Sequence, residues 1–263
     1  MTNDVIRTEQ KGKIFYIILN RPDKLNSFIE PMRQQMSETI KSLYDREDVH
    51  VCIITGSGRG FCSGGDIKVM EEIIANDDYD RIQEFLEWGK SILFRIRNLP
   101  IPVIAAVNGP AAGAGMNLAL ACDLRIASDK ATFGQTFINI GLHTDWGGSF
   151  FLPRLISVST ALEMFWTGRI IDSAEAYRLG IVNKLIPHDV FYEEVEKYAQ
   201  HIASRSKKVV GLTKKGVYEG LNGNLESVLE YEAFAQAECI RSEEAKKGMH
   251  FFLQERANRK MKN

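Results

Sequence analysis

Two glycine-rich segments are candidates for chemistry, because each directly follows a short apolar run. Residues 56–66 read GSGRGFCSGGD after the run at 51–55, and residues 108–115 read NGPAAGAG after the run at 102–107. Glycine lets a ligand approach main-chain N–H groups closely. If the two preceding strands are neighbours, two such N–H groups can converge on one oxygen, which is the arrangement of an oxyanion hole. The glycines could instead serve tight packing alone, and their spacing leaves both interpretations open.

The first of these segments, residues 56–66, does not match the common motifs for nucleotides or nucleophilic serines. It contains no Gly-Lys-Ser or Gly-Lys-Thr, which a P-loop requires. Phe61 stands where a Rossmann fingerprint and a GxSxG nucleophile elbow would each need glycine. The segment therefore indicates exposed main-chain N–H donors in a strand-to-helix turn.

The overall composition argues against several classes of protein. The chain has 263 residues, with 33 Lys and Arg against 34 Asp and Glu and a net charge of −1, whereas a dedicated nucleic-acid binder needs a clear basic excess. No run approaches the roughly 20 apolar residues of a membrane span, and the polar first residues predict no secretory signal. Four scattered cysteines predict reduced thiols, and the histidines lack metal-ligand spacing. We therefore expect a cytoplasmic protein without a metal site.

The elements that must position the glycine segments follow an alternating order. Strand, glycine turn, helix and strand predict an α/β fold with parallel strands, preceded by a hairpin at 5–19. The predicted helices include 79–98, 116–122, 189–204, 206–220, 225–240 and 242–256. We predict an α/β core over residues 1–190 and a helical region over 191–263.

Five motifs, in this order and spacing, resemble the enoyl-CoA hydratase/isomerase (crotonase) superfamily over nearly the whole chain. They are NRP at 20–22 with Asn26, FCSGGDI at 61–67, PVIAAVNG at 102–109, ACDL at 121–124 and FLQER at 252–256. The resemblance implies a crotonase fold of repeated ββα units with a C-terminal helical trimerisation region. It also implies a homotrimer or a dimer of trimers, and an acyl-CoA thioester as substrate. Coenzyme A would be part of that substrate, and no separate cofactor is expected.

The resemblance assigns the two oxyanion-hole donors to the backbone N–H groups of Ser63 and Ala114. Ala114 stands where relatives often have glycine, and it keeps the N–H while adding a methyl group. It also lies at the start of a predicted helix, whose positive N-terminal end would face the thioester oxygen.

The acids near this site differ from those of a hydratase. Hydratases of the family use two glutamates, and the matching positions here are Asn117 and Phe137, which cannot transfer protons as carboxylates do. Asp145, followed by Trp146, lies where double-bond isomerases of the family place a single Asp or Glu. An aspartate kept from water beside an aromatic ring is expected to have a raised pKa, which would make it a better base. Asp145 could instead be a loop cap.

The predicted coenzyme A contacts come from the polar loop near residue 21, the first glycine turn and the C-terminal helix. They are Arg21, Lys24, Asp66, Ile67, Lys68 and Phe252. The three cations would meet phosphates, the Asp-Ile pair would meet adenine, and the phenylalanine would cover pantetheine or adenine, within its own or a neighbouring subunit. Asn117, Phe137 and Trp146 complete the predicted substrate contacts.

These residues favour an enzyme that shifts a double bond of an enoyl-CoA from Δ3 to Δ2, with Asp145 as acid and base. An enoyl-CoA hydratase lacking the usual glutamate pair remains an alternative, as does thioester hydrolysis with Asp145 as nucleophile. Because Asn117 and Phe137 replace the glutamates, a non-catalytic acyl-CoA-binding scaffold is a third alternative.

Overall fold

The fold is built on nine strands and eleven α-helices in the part of the chain that the computed structural model describes, residues 4–261, with side chains through residue 256. The strands are β1 (Ile6–Lys11), β2 (Ile14–Leu19), β3 (Val51–Gly56), β4 (Val103–Val107), β5 (Ala111–Ala112), β6 (Leu124–Ser128), β7 (Thr132–Gly134), β8 (Ile170–Asp172) and β9 (Lys184–Ile186). The helices are α1 (Glu30–Ser42), α2 (Ile67–Ala75), α3 (Tyr79–Asn98), α4 (Ala114–Ala121), α5 (Gly148–Phe151), α6 (Val158–Thr167), α7 (Ser173–Arg178), α8 (Phe191–Ala203), α9 (Lys207–Gly220), α10 (Leu225–Ile240) and α11 (Glu243–Met261).

The two glycine segments follow strands of a six-stranded sheet, whose strand order is β1-β2-β3-β4-β6-β9. The hairpin β1–β2 is antiparallel, and the remaining neighbours are parallel. A second sheet has the order β5-β7-β8. Because β3 and β4 are adjacent and parallel, their carboxyl ends lie side by side. The two glycine segments that follow these strands therefore leave the same edge of the sheet.

Strands β3 and β4 are buried along their whole length because helices cover both faces of the sheet. Alternate residues of β3 point to opposite sides: Cys52 and Ile54 join one apolar cluster, while Val51 and Ile53 join another. The first cluster includes the apolar residues of α1, α3 and α4, and the second includes those of α8. This explains why the β3 sequence is continuously apolar.

The chain divides into one unit that ends at Ala203 and a second that begins at Ser204. The predicted boundary at residue 190 falls earlier, before α8. Helix α8 buries Phe191, Val195 and Ala199 in the same cluster as the sheet residues, so it belongs to the first unit. The prediction grouped α8 with the later helices because helical periodicity alone does not identify the surface against which a helix packs.

The second unit contains α9, α10 and α11. Helices α9 and α10 are joined by polar contacts. The hydroxyl of Tyr231 in α10 donates to the carbonyl of Leu212 in α9 at 2.9 Å, and Lys208 in α9 pairs with Glu238 in α10 at 2.9 Å. Several large apolar side chains of this unit are exposed in the single chain, including Leu225 and Phe234. The trimer or dimer of trimers stays a prediction. Within residues 4–261, no helix combines the length and apolar character needed to cross a bilayer.

Candidate active site

The two glycine segments are in contact, as the sequence predicts. The backbone N–H of Ala112 donates to the carbonyl of Cys62 at 3.0 Å, and Cys62 bridges to the start of β5. Gly64 has a φ of 94°, and a Cβ there would lie 2.9 Å from the Ala112 carbonyl oxygen and 3.4 Å from the Ala114 nitrogen. Glycine is therefore required at position 64, because only glycine allows both this backbone conformation and this close approach.

The N–H group of Ser63 is not available to a ligand. It donates to the carbonyl of Leu25 at 2.9 Å, and the Ser63 hydroxyl points to the carbonyl of Lys24 at 3.4 Å. A donor already used within the protein cannot also stabilise a developing oxyanion. The prediction that Ser63 supplies this N–H is therefore wrong, although it identifies the correct turn.

The free N–H group of this turn belongs to Gly65. The segment pairs with Phe28 through its neighbours: Gly64 accepts from the Phe28 N–H at 2.7 Å, and the Asp66 N–H donates to Phe28 at 3.1 Å. In such an extended pairing the intervening N–H points to the opposite edge, where Ala112 and Ala114 lie. Gly65 has no hydrogen-bond partner for this group among the described residues, and a Cβ there would meet nothing within 4 Å.

Ala114 supplies the second free N–H as the first residue of α4. The first N–H groups of a helix have no partner within the helix, and none is formed elsewhere by Ala114 in the described chain. All eight residues of α4 are buried, so its positive end is shielded from bulk water. Half-buried Phe137 lies over Gly113, with its ring 3.5 Å from where a Cβ would stand. Phe137 therefore borders this donor, and its predicted contact with the substrate stays a prediction.

Asp145 presents a buried carboxylate oxygen without a partner. Its Oδ1 forms no hydrogen bond, while its main-chain carbonyl accepts from the Asn117 side chain at 2.7 Å and from the Gly148 N–H at 3.0 Å. Burial raises the pKa of Asp145 to about 6, and the charges of Arg33 and His143 oppose that rise. A carboxyl group with this pKa can accept and return a proton near neutral pH.

Trp146 fixes the loop that carries Asp145. It has a φ of 45°, an unusual backbone conformation for a bulky residue. Its ring stacks on Phe28 at 4.5 Å, and it lies so close to Gly89 of α3 that a Cβ there would stand 2.6 Å from an indole carbon. The buried ring also excludes water beside Asp145, so the predicted aromatic neighbour has a clear physical role.

Asn117 holds this loop through its side-chain amide. Its Nδ2 donates to the Asp145 carbonyl and to the Thr144 hydroxyl at 3.2 Å, and its Oδ1 accepts from Gln135 at 2.7 Å. Both amide hydrogens are thus used within the protein, and the side chain is fully buried. The structure consequently makes Asn117 a positioning residue for Asp145, instead of the predicted substrate contact.

Arg33 belongs to this site, although sequence reasoning missed it. It lies on the buried side of α1, 95% buried, with the guanidinium 4.2 Å from the Phe85 ring centre and 5.8 Å from that of Phe28. Its Nε and Nη1 are buried without partners. Arg33 lies beside the apolar stripe that includes Met32 and Met36, and this unusual placement of a charge was the available signal.

Arg21 and Asp66 form an ion pair at the edge of the first turn. An Arg21 Nη2 lies 2.9 Å from the Asp66 carboxylate, while Nη1 donates to the Ser27 carbonyl at 2.6 Å. Partial burial would raise the pKa of Asp66, but hydrogen bonds from Arg21 and the Lys68 N–H outweigh it and lower that pKa. Arg21 therefore supports the turn through these bonds, and its predicted phosphate contact stays a prediction.

Three other predicted coenzyme A contacts are exposed near the first glycine turn. Lys24 and Lys68 are exposed, and Ile67 is 58% exposed at the start of α2. The Asp66 side chain caps α2 by accepting from the Lys68 N–H at 3.1 Å. Phe252 lies in α11 of the second unit and is exposed. The coenzyme A contacts of Lys24, Ile67, Lys68 and Phe252 stay predictions, as does that of Asp66.

The burial of Asp145 predicts a stability effect that depends on pH. The folded-state pKa of Asp145, about 6, exceeds the usual 3.8. The negative charge of Asp145 therefore destabilises the folded state to its full extent above pH 6. Below about pH 4 the carboxyl group is protonated in both states, and the effect is absent. Asp145→Asn removes this cost and is expected to raise the free energy of unfolding by up to about 3 kcal/mol at pH 8. The gain should vanish near pH 4. Urea unfolding at both pH values tests this, and an equal effect at both would contradict it.

The chain matches a known family over most of its length. A sequence model for the family described as "Enoyl-CoA hydratase/isomerase" matches residues 9–261. Crotonyl-CoA hydratase of Syntrophomonas wolfei is 34% identical over 255 residues, covering 97% of this chain and 96% of the relative. The 1,2-epoxyphenylacetyl-CoA isomerase of Escherichia coli is 30% identical over 257 residues, covering 98% of each chain.

A solved structure gives the same result for the fold. The enoyl-CoA hydratase of Bacillus anthracis superposes with a TM-score of 0.90 at 30% sequence identity, covering 95% of this chain and 96% of that one. The similarity extends over nearly the whole described chain, including the segments that carry the candidate site.

Proposed function

Because the chain belongs to the enoyl-CoA hydratase/isomerase family and has its crotonase fold, we propose that it moves the double bond of an enoyl-CoA from Δ3 to Δ2. The thioester oxygen accepts hydrogen bonds from the N–H groups of Gly65 and Ala114. Asp145 is the acid and base. The thioester bond to coenzyme A stays intact in both steps, and coenzyme A serves only to bind the substrate. The support for each part is the geometry of the turn, the start of α4 and the Asp145 loop.

The proposed reaction needs one carboxylate and no water. The Asp145 carboxylate removes a proton from C2, and the electrons of that C–H bond form a dienolate that extends from the thioester oxygen to C4. The two N–H donors stabilise the negative oxygen, because they are fixed before charge develops. Protonated Asp145 then returns the proton to C4, which leaves a double bond between C2 and C3 and regenerates the base.

The observation that carries the proposal is the buried carboxylate oxygen of Asp145, which has no partner among the described residues. Asp145 Oδ1 is buried without a partner, whereas the family resemblance matches Asn117 and Phe137 to the hydratase glutamates. The Asn117 amide hydrogens are both used by the Asp145 loop. Hydration requires a group to activate water, and the isomerisation requires only the base that is present. One relative carries an isomerase name, while several carry hydratase names.

Incubation in deuterated water tests the reaction. With 3-hexenoyl-CoA, we expect 2-hexenoyl-CoA, and exchange of the proton held by Asp145 should place deuterium in part of the product, as seen by mass spectrometry. With 2-hexenoyl-CoA, we expect little 3-hydroxyhexanoyl-CoA. Rapid hydration that survives Asp145→Asn would contradict the proposal and favour a hydratase. Release of free coenzyme A would favour a hydrolase, and saturable binding without turnover would favour a scaffold.

The pH profile provides a separate prediction. Because the carboxylate form of Asp145 is the base and its pKa is raised to about 6, kcat/KM for 3-hexenoyl-CoA is expected to rise with pH and level off above about 7. At pH 5 it should be about one tenth of the plateau. Initial rates between pH 4.5 and 8.5 measure this. A midpoint near the usual carboxyl value of 3.8 would show that the working base is not a buried Asp145.

A further inference from the structure

The site contains a second group that the proposed reaction does not use, the guanidinium of Arg33. Among the described residues, three buried side-chain nitrogen or oxygen atoms lack a hydrogen-bond partner, and they are Nε and Nη1 of Arg33 and Oδ1 of Asp145. Buried polar atoms are normally hydrogen-bonded. Their concentration in two residues of one site indicates that a bound molecule supplies the missing partners.

Arg33 keeps its charge without a counterion in contact. Burial lowers the pKa of Arg33 to about 10, so the group is still cationic at neutral pH, and the charge of Asp145 is the largest influence that opposes this fall. The two side chains nevertheless form no ion pair in the described chain. A buried cation in this state is costly unless an anion pairs with it.

The other charged or titratable groups near Arg33 do not neutralise it. Burial raises the pKa of the Cys62 thiol to about 12, so this group is neutral. The Glu30 side chain is 46% exposed, and its Oε2 lies 3.9 Å from Nε of Arg81, so Glu30 already faces another cation. Neither therefore removes the need for an anionic partner at Nε or Nη1.

Arg33 lies among aromatic side chains that lead to Asp145. Its guanidinium lies against the rings of Phe85 and Phe28, and Phe28 stacks on Trp146, next to Asp145. The charge of Asp145 acts on the guanidinium, and Cys62, which also lies near it, is three residues before Gly65. The cation thus lies near the reacting end of the substrate within otherwise aromatic surroundings.

We propose that the acyl group of the substrate carries a carboxylate, which pairs with Arg33, so that the preferred substrates are CoA monothioesters of unsaturated dicarboxylic acids. This inference rests on the proposed function for the reaction at the thioester end and adds the chemistry of the other end. A carboxylate supplies acceptors to the unpaired N–H groups and neutralises the buried cation. A hydrocarbon chain would leave both needs unmet.

Binding of unreactive saturated analogues tests the substrate class without turnover. Glutaryl-, adipyl-, pimelyl- and suberyl-CoA are each compared by calorimetry with the hydrocarbon acyl-CoA of equal carbon number. We expect at least one dicarboxylic analogue to bind the wild-type protein about 10- to 150-fold more tightly than its hydrocarbon match. Equal or weaker binding for all four lengths would overturn the inference.

Variants of Arg33 and Arg81 give the matched comparison. Arg33→Met should abolish the preference and leave or improve hydrocarbon binding, because methionine fills the same apolar surroundings. Arg81 also lies over the Phe85 ring, at 5.5 Å, but is partly exposed beside Glu30, so Arg81→Met should retain the preference. If Arg33→Met does not fold, Arg33→Lys keeps a cation and should reduce the preference partly. A preference unchanged in a folded Arg33 variant would overturn the inference.

Turnover separates this inference from the proposed function. If dicarboxylic analogues bind preferentially through Arg33 but no 3-enoyl-CoA is isomerised, the substrate class stands and the reaction is wrong. If 3-hexenoyl-CoA is isomerised at least as efficiently as the CoA monothioester of 3-hexenedioic acid, and binding shows no preference, the reaction stands and the substrate class is wrong.

Discussion

Asp145→Asn is expected to lower kcat for the isomerisation of a 3-enoyl-CoA by about 10²- to 10⁴-fold, which is the usual contribution of a positioned acid or base. The amide cannot take up the C2 proton, and no other described carboxylate shares the loop held by Asn117 and Trp146. The affinity for an unreactive acyl-CoA should change little, because the donors of Gly65 and Ala114 are unaltered. Steady-state rates and calorimetric binding measure the two effects.

The control for this substitution is Asp45→Asn. Asp45 is an exposed carboxylate between α1 and β3, and it forms none of the contacts described for the site. The same chemical change there should leave kcat within twofold of the wild-type value. If Asp145→Asn keeps more than one tenth of the wild-type kcat, Asp145 is not the base, and the proposed mechanism fails.

Gly115→Ala is expected to produce the second largest effect, through the distance between the two turns. A Cβ at Gly115 would overlap the Cys62 carbonyl oxygen and stand 2.7 Å from the carbonyl carbon. Because these are backbone atoms, α4 must move away from the first turn. We expect the Ala114 N–H to be displaced and kcat/KM to fall by about 10²- to 10³-fold, as for the loss of one oxyanion-hole donor.

The same substitution should also reduce the free energy of unfolding by about 1–3 kcal/mol, because it overpacks a buried site. Chemical denaturation measures this, and circular dichroism at the assay temperature establishes that the variant is folded. Gly248→Ala is the matched control: a Cβ there meets nothing within 4 Å, so stability and activity should be nearly unchanged. A folded Gly115→Ala variant with normal kcat/KM would show that the turns do not form the oxyanion hole.

The sequence predicts the main elements well where their signals are local. The hairpin β1–β2 and the helices α3 and α10 have the predicted type and nearly the predicted bounds, because the signals that predict them lie within each segment. The contact between the two glycine turns also follows from local order, since both turns follow adjacent parallel strands. The pKa of Asp145 is raised, as its aromatic neighbour indicates.

The details that the sequence does not predict depend on pairing between distant segments. Whether Ser63 or Gly65 offers its N–H depends on which residue of the turn pairs with Phe28 and which with Leu25. The burial of Arg33 depends on Phe85, which lies on another helix. Neither partner can be identified from the spacing within one segment, so the errors at these positions share one physical cause.

The proposed oxyanion hole is made of main-chain N–H groups, and this has a consequence for how the protein can evolve. Ordinary side-chain substitutions at Ala114 leave its N–H in place, so few point mutations can delete the donor, and the capacity to stabilise an enolate is robust to mutation. The proposed acid–base chemistry and substrate choice instead depend on single side chains, Asp145 and Arg33. One codon change at either position could redirect the reaction or the substrate while the ability to hold a thioester enolate is inherited unchanged.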